Sequence, residues 1–128
     1  MKQLNRILYI EDEPDIQKIV QICLENIGGY KVSLANDGVE GLQMMLAEKP
    51  DLILLDVMMP KIDGPTMLKR IRKISEFNDV PIVFITAKVG HADKASYLTQ
   101  GVSAIISKPF DPMTLADKVR AIWDRRND

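Results

Sequence analysis

The sequence predicts an α/β domain, a doubly wound parallel sheet of five strands with five helices divided between its two faces. Three observations carry that prediction. Short apolar runs alternate with amphipathic stretches five times along the chain. Several of the runs are rich in Ile, Val and Leu without polar alternation, the pattern of strands buried on both faces. The stretches between them carry helix-start and helix-stop residues at the expected places.

The strands are predicted at Arg6 to Ile10, Lys31 to Ala35, Leu52 to Asp56, Ile82 to Thr86 and Ala104 to Ser107. The first helix starts at Pro14, a residue suited to the first helical turn, with Glu13 as its expected cap. It places Ile16, Ile19, Val20, Cys23, Leu24 and Ile27 on one inward stripe and stops at Gly28 and Gly29. The second helix opens with Asp37 and Glu40 at capping-box spacing and ends before Pro50. A third follows Gly64 and Pro65, with Leu68, Ile71 and Ile74 inward. The fourth, shorter and weaker, covers His91 to Thr99 before Gly101. The fifth has Asp111 as cap, Pro112 in its first turn, and Leu115, Val119 and Ile122 on its apolar face.

Composition narrows the class. A chain of 128 residues fits one domain, read here as 1–128. Apolar residues make up 46% and charged residues 27%, the balance of a soluble globular protein. The net charge of −1 creates no field to recruit nucleic acid, so direct nucleic-acid binding is not expected. The apolar run after the polar N-terminus is too short for a signal peptide or membrane span, and a cytoplasmic location is expected. Cys23 has no partner for an internal disulfide and reads as a buried, inert thiol in a reducing compartment. Met44, Met45 and Met67 read as core fillers, while Met58 and Met59 border the loop after Asp56. His91, the single histidine, reads as a surface residue. Trp123 lies just off the apolar stripe of the last helix, either half-buried packing or a partner contact.

In open parallel sheets the binding site lies at the carboxyl ends of the strands. Those ends offer Glu11, Asp12 and Glu13 after the first strand, Asp56 on the third, Thr86 on the fourth, and Lys108 with Pro109 after the fifth. Close carboxylates disfavour joint ionisation unless something neutralises them. Two chemistries answer that: a protonated pair doing acid/base work, or a hard divalent cation such as Mg²⁺ held through oxygen. Lys108 and Thr86 suit the holding of a phosphoryl group. An aspartate carboxylate is a competent nucleophile that forms an aspartyl-phosphate. A single strand-end acid is weak evidence, but four suitable groups on four strand ends of one sheet are hard to assign to chance.

The segments "ILYIEDEPDI", "PDLILLDVMMPKIDG", "PIVFITA" and "SKPF" together resemble the receiver domain of two-component response regulators, close in length to the stand-alone chemotaxis type. The resemblance runs from about Arg6 to Ile122. It implies a flavodoxin-like fold with strand order 2-1-3-4-5. It implies phosphorylation of Asp56 and a Mg²⁺ (or Mn²⁺) ion held by Glu11, Asp12, Asp56 and the backbone carbonyl of Met58, Asp12 directly. Thr86 would donate to the phosphoryl group and swing inward, and Lys108 would pair with the phosphate. A cis Lys108–Pro109 bond is implied, with Pro60 and Gly64 shaping the loop after Asp56. The implied partners are a sensor histidine kinase or histidine phosphotransfer protein, docking on the first helix around Asp15, Lys18 and Gln21, and a downstream protein target. The domain would phosphorylate and dephosphorylate itself and turn over no separate substrate, so it is not expected to be an enzyme.

Two positions depart from the family pattern. Glu11 stands where aspartate is commoner, and its longer arm is expected to reach the metal, directly or through water. Ile105 stands where many members carry a switching aromatic, so Thr86 is expected to signal through the loop around Lys88 to His91. Met58 and Lys88 occupy the positions that bear on phosphate lifetime. Gly101 to Ala104 lack the acids common before the fifth strand in members that pair through the face of the fourth helix, fifth strand and fifth helix. A monomer or weak dimer is expected. A degenerate receiver serving as a scaffold is the rival within the family. An FMN carrier lacks its phosphate loop here, and a haloacid-dehalogenase-like phosphatase lacks its DxD after the first strand.

Overall fold

A computed structural model describes residues 2–87 and 90–126. Five parallel strands, β1 (Arg6–Ile10), β2 (Lys31–Ala35), β3 (Leu52–Asp56), β4 (Ile82–Thr86) and β5 (Ala104–Ser107), form one sheet in the order β2-β1-β3-β4-β5. All five strand boundaries agree with those read from the apolar runs. β3 and β4 are buried throughout, whereas the edge strands β2 and β5 are only partly covered. That difference explains why the central runs read as continuous apolar stretches.

Alternate residues of each strand feed two cores. Leu8, Ile10, Ile53, Leu55 and Phe84 pack with Met45, Met67, Leu68 and Ile71 on one face. Ile7, Tyr9, Leu52, Leu54, Val83 and Ile85 pack with Val20, Leu24, Leu115, Val119 and Trp123 on the other. Helices α2 (Gly38–Glu48) and α3 (Gly64–Arg72) therefore cover the first face, and α1 (Pro14–Ile22) and α5 (Leu115–Arg126) the second. α4 (His91–Thr99) contributes no fully buried residue. Its attachment includes an edge-on contact between Tyr97 and Phe84, with ring centroids 5.1 Å apart.

Capping chemistry fixes several starts. Asp37 accepts a hydrogen bond from the Glu40 amide at 2.8 Å, and Asp63 does the same for Thr66 at 2.8 Å. The Glu40 carboxylate turns to the Asn36 side-chain amide rather than back to the cap. Glu13 makes no side-chain cap for α1, contrary to expectation; its amide donates to Glu11 Oε2 at 3.4 Å.

Two helices differ from the expected pattern. The segment after α1, Cys23–Ile27, is π-helical, closed by a hydrogen bond from the Gly28 amide to the Cys23 carbonyl. The wider turn rotates Ile27 out to 47% exposure, and Ile19 lies on the flank of the buried stripe at 46%. Only Val20, Cys23 and Leu24 of the predicted stripe are fully buried, with Ile16 partly so. Gly29 then takes φ +75°, a conformation that glycine adopts at no steric cost, and turns the chain into β2. α5 begins at Leu115, three residues later than the Asp111 cap implies. Asp111 instead caps a turn, accepting from the Met113 amide at 2.9 Å.

Met45 and Met67 are buried and Met44 partly so, Met58 is exposed, and His91 lies exposed in the first turn of α4. Trp123 is 5% exposed, with its indole N–H reaching the Lys2 carbonyl at 3.3 Å, so it packs rather than projects. Among the described residues no helix is long and apolar enough to cross a membrane.

Candidate functional site

Parallel register brings the ends of β1, β3 and β4 level at one rim of the sheet. Ile10 lies beside Leu55, and Asp56 beside Ile85. One residue past β1, the Glu11 amide still pairs with the Ala35 carbonyl, at 3.0 Å. The structure places side-chain oxygens of Glu11, Asp12 and Asp56 within 4.8 Å of one another. Glu11 is fully buried and Asp56 3% exposed, while Asp12 lies at the margin. Lys108, one residue past β5, reaches over both buried acids, with Nζ 2.8 Å from Glu11 Oε1 and 3.4 Å from Asp56 Oδ2. Its own amide pairs with the Thr86 carbonyl at 2.9 Å, tying the lysine loop to β4. Thr86 is fully buried at the end of β4. The Lys108–Pro109 bond is cis, as the resemblance implies.

The loop after Asp56 folds back on it. The Met58 amide donates to Asp56 Oδ1 at 3.1 Å, and the Gly64 amide to the Val57 carbonyl at 3.0 Å. A Cβ at Gly64 would stand 2.8 Å from Val57 Cα and 3.3 Å from the Asp56 carbonyl oxygen, contacts with backbone that no rotamer change relieves. Gly64→Ala is therefore expected to lower stability by about 1–3 kcal/mol, with the amide resonances of Val57 and Met58 displaced. Urea unfolding and an amide spectrum check both, and a variant as stable as its parent would contradict the close approach.

Burial sets the electrostatics. Burial, then the neighbouring Glu11, push the Asp56 carboxyl up to about 7. Burial also opposes ionisation of Glu11, but hydrogen bonds from Asp56, Lys108 and Tyr9 outweigh it and hold Glu11 below its ordinary value. Joint ionisation of the two acids is therefore disfavoured, and Asp56 is the one whose carboxyl is raised. Burial and Glu11 also raise Asp12. Burial disfavours the Lys108 ammonium, yet contact with Glu11 and Asp56 prevails and raises it. Two buried carboxylates, a marginal third and one ammonium form an oxygen-rich, negatively biased pocket that suits a hard divalent cation.

Three contributors escaped the sequence reading. Tyr9 is fully buried in β1 and donates its hydroxyl to Glu11 Oε1 at 2.9 Å. Gln17, buried in α1, donates to the Glu11 carbonyl and, at 2.9 Å, to Asn36 Oδ1, pinning the acidic loop to the end of β2. Tyr97 lines a cavity of about 440 Å³ with Met58, Met59 and Asp63, beside the loop that follows Asp56. The only signal for Tyr9 was period 2, which sets it on the same face as Glu11. Ile105, where many family members carry a switching aromatic, is partly buried against the core, and Lys88 and Val89 of the loop expected to carry the signal lie outside the described residues.

A buried aspartate, two flanking acids and a lysine thus meet at the carboxyl rim of a 2-1-3-4-5 parallel sheet, as the resemblance to the receiver domain implies. Comparison with known proteins agrees. The family model of the response regulator receiver domain matches residues 7–120, and the chain belongs to that family. It is 41% identical over 122 residues to the probable transcriptional regulator ycf27 of Guillardia theta, covering 95% of this chain and 46% of that protein. It is 40% identical over 123 residues to the DNA-binding dual master transcriptional regulator RpaA of Synechocystis sp., covering 96% of this chain and 50% of that protein. The chain thus spans about half the length of these curated relatives. Among solved structures it is similar to the chemotaxis response regulator CheY4 of Vibrio cholerae. The TM-score is 0.86 at 28% identity, covering 94% of this chain and 99% of that one.

Proposed function

We propose that this receiver accepts a phosphoryl group on Asp56 from a sensor histidine kinase or histidine phosphotransfer protein, in the cytoplasm, and changes shape to control a protein partner. The buried convergence of Asp56 with Glu11, Asp12 and Lys108 carries that reading. An Asp56 carboxylate oxygen attacks the phosphorus of a phosphohistidine. The new P–O bond forms as the P–N bond breaks, and the imidazole leaves and takes up a proton. Mg²⁺ (or Mn²⁺), held by Glu11, Asp12, Asp56 and the Met58 carbonyl, supplies charge neutralisation when bound. Lys108 trades its carboxylate partners for the phosphoryl oxygens, and Thr86 donates its hydroxyl to the same group. The chain transfers only to itself and later hydrolyses the adduct, so it acts as a switch rather than a turnover enzyme.

The first helix supports the docking role. Asp15 and Lys18 are exposed beside Ile19 and Ile22, and a groove of about 380 Å³ runs from Ile16 and Ile19 to Phe110 and Pro112. On the output side, Tyr97 rests on Phe84, two residues before Thr86, and gives the signal an aromatic contact into α4 where Ile105 offers none. The relatives are named transcriptional regulators, one of them DNA-binding. The expectation of no direct nucleic-acid contact therefore concerns these 128 residues alone.

Incubation with MgCl₂ and acetyl phosphate should add one phosphoryl group, mapped by mass spectrometry to the peptide containing Asp56. No adduct, or an adduct elsewhere, would refute the reading.

A further inference from the structure

We propose that Tyr9 is a positioning residue for this site: its buried hydroxyl fixes the long Glu11 side chain and keeps it in place when Lys108 turns away. The inference rests on the phosphoacceptor reading above for the use to which Glu11 is put. Tyr9 and Glu11 lie two apart along β1 and its extension, so both side chains issue from one face of the sheet. The Tyr9 hydroxyl and Lys108 Nζ both donate to the same oxygen, Glu11 Oε1, at 2.9 and 2.8 Å. The other oxygen, Oε2, receives a longer bond from the Glu13 amide, at 3.4 Å.

These three donors differ in how firmly they are held. Lys108 reaches in on a flexible four-carbon stem and divides its charge between Glu11 and Asp56. A phosphoryl group on Asp56 competes directly for that ammonium. Tyr9 is fully enclosed, and its rigid ring has two torsions to order. When the lysine leaves, the tyrosine hydroxyl stays. Glu11 needs such a clamp because glutamate carries one more rotatable bond than aspartate. An unrestrained glutamate must be ordered each time a cation binds, and a preformed hydrogen bond removes that cost in advance.

A buried tyrosine hydroxyl also needs a partner for purely structural reasons, so the test must separate the two roles. Mg²⁺ affinity is measured on the full chain from amide shifts of Asp12 and Val57, for the parent, Tyr9→Phe, Glu11→Asp and the double variant. Tyr9→Phe retains the ring and fills the same core, and its amide spectrum reports that the sheet is intact. Its Mg²⁺ affinity is expected to fall about threefold to tenfold, the net scale of one ordinary hydrogen bond. In Glu11→Asp the carboxylate is withdrawn by one methylene from the hydroxyl, so adding Tyr9→Phe should change the affinity no further. Parental or tighter affinity in Tyr9→Phe would overturn the proposal. So would an equal loss in both backgrounds, which marks a general effect on the fold. Absence of an acetyl phosphate adduct on the parent would instead strike the phosphoacceptor reading, because the Mg²⁺ cycle reads the Tyr9–Glu11 contact on its own.

Discussion

Asp56→Asn will take up no phosphoryl group and, with no metal added, will resist urea better than the parent at neutral pH. An amide oxygen is too weak a nucleophile to displace the donor, which accounts for the first part. The second follows from burial. Asp56 is 3% exposed beside fully buried Glu11, and burial with that neighbour raises its carboxyl from 3.8 to about 7. The folded protein therefore holds this proton more tightly than the unfolded chain does. The stability linked to Asp56 is fully present below about pH 4, declines as pH rises toward 7, and levels off beyond. Glu11, held low, works in the opposite sense, adding stability that is lost only as pH falls into the acid range. The net decline for the parent between pH 5 and 8 should be on the order of 2–4 kcal/mol. Asparagine carries no charge at any pH, so the variant should show little of it. Saturating Mg²⁺ favours the ionised pair and should flatten the parent's profile as well. Urea midpoints at pH 5 and pH 8, with and without MgCl₂, measure all of this; a parent profile already flat without metal would contradict the raised Asp56 carboxyl.

Lys108→Ala should damage stability and phosphorylation together. Its ammonium is the counter-charge of two buried acids, at 2.8 Å from Glu11 and 3.4 Å from Asp56, and its side chain is only 17% exposed. Removing one partner of a buried pair leaves the other charge uncompensated, at a cost of about 3–5 kcal/mol. Uptake of a proton by the acids relieves part of that cost, so the variant should lose less at pH 5 than at pH 8. Added Mg²⁺ should restore more stability to the variant than to the parent, because it replaces the missing positive charge. Phosphorylation by acetyl phosphate should slow by about 10²–10³, as when a preorganised donor to a charged transition state is removed. Thermal melts across pH and magnesium concentration, with a rate from mass spectrometry, test both parts. A variant as stable as the parent at pH 8 would show that the lysine does not neutralise the pair.

How much of this could be read in advance depended on whether a feature was local. The strands were legible because β3 and β4, buried on both faces, leave uninterrupted apolar runs. Caps such as Asp37 were legible because the acceptor and its amide lie three residues apart. The inward stripe of α1 was overread, since apolar spacing cannot report the π-turn that turns Ile27 outward. Asp111 was a true cap signal, yet it served a turn, and the helix waited until Leu115.

The candidate site divides along the same line. Asp56, Glu11, Asp12, Thr86 and Lys108 could be named because each stands at a strand end, where a parallel sheet gathers its chemistry. Their types and positions were determined by the sequence alone. Only the tertiary structure decided which charges meet: Lys108, 97 residues from Glu11, lies on it rather than in solvent. It also decided that Tyr9, to all appearance one more apolar strand residue, ends in a hydroxyl aimed at the site. The physical reason is one of range. Hydrophobic period and capping act over a few residues, whereas pairing of charges and hydroxyls waits for the sheet to set strands from distant parts of the chain side by side.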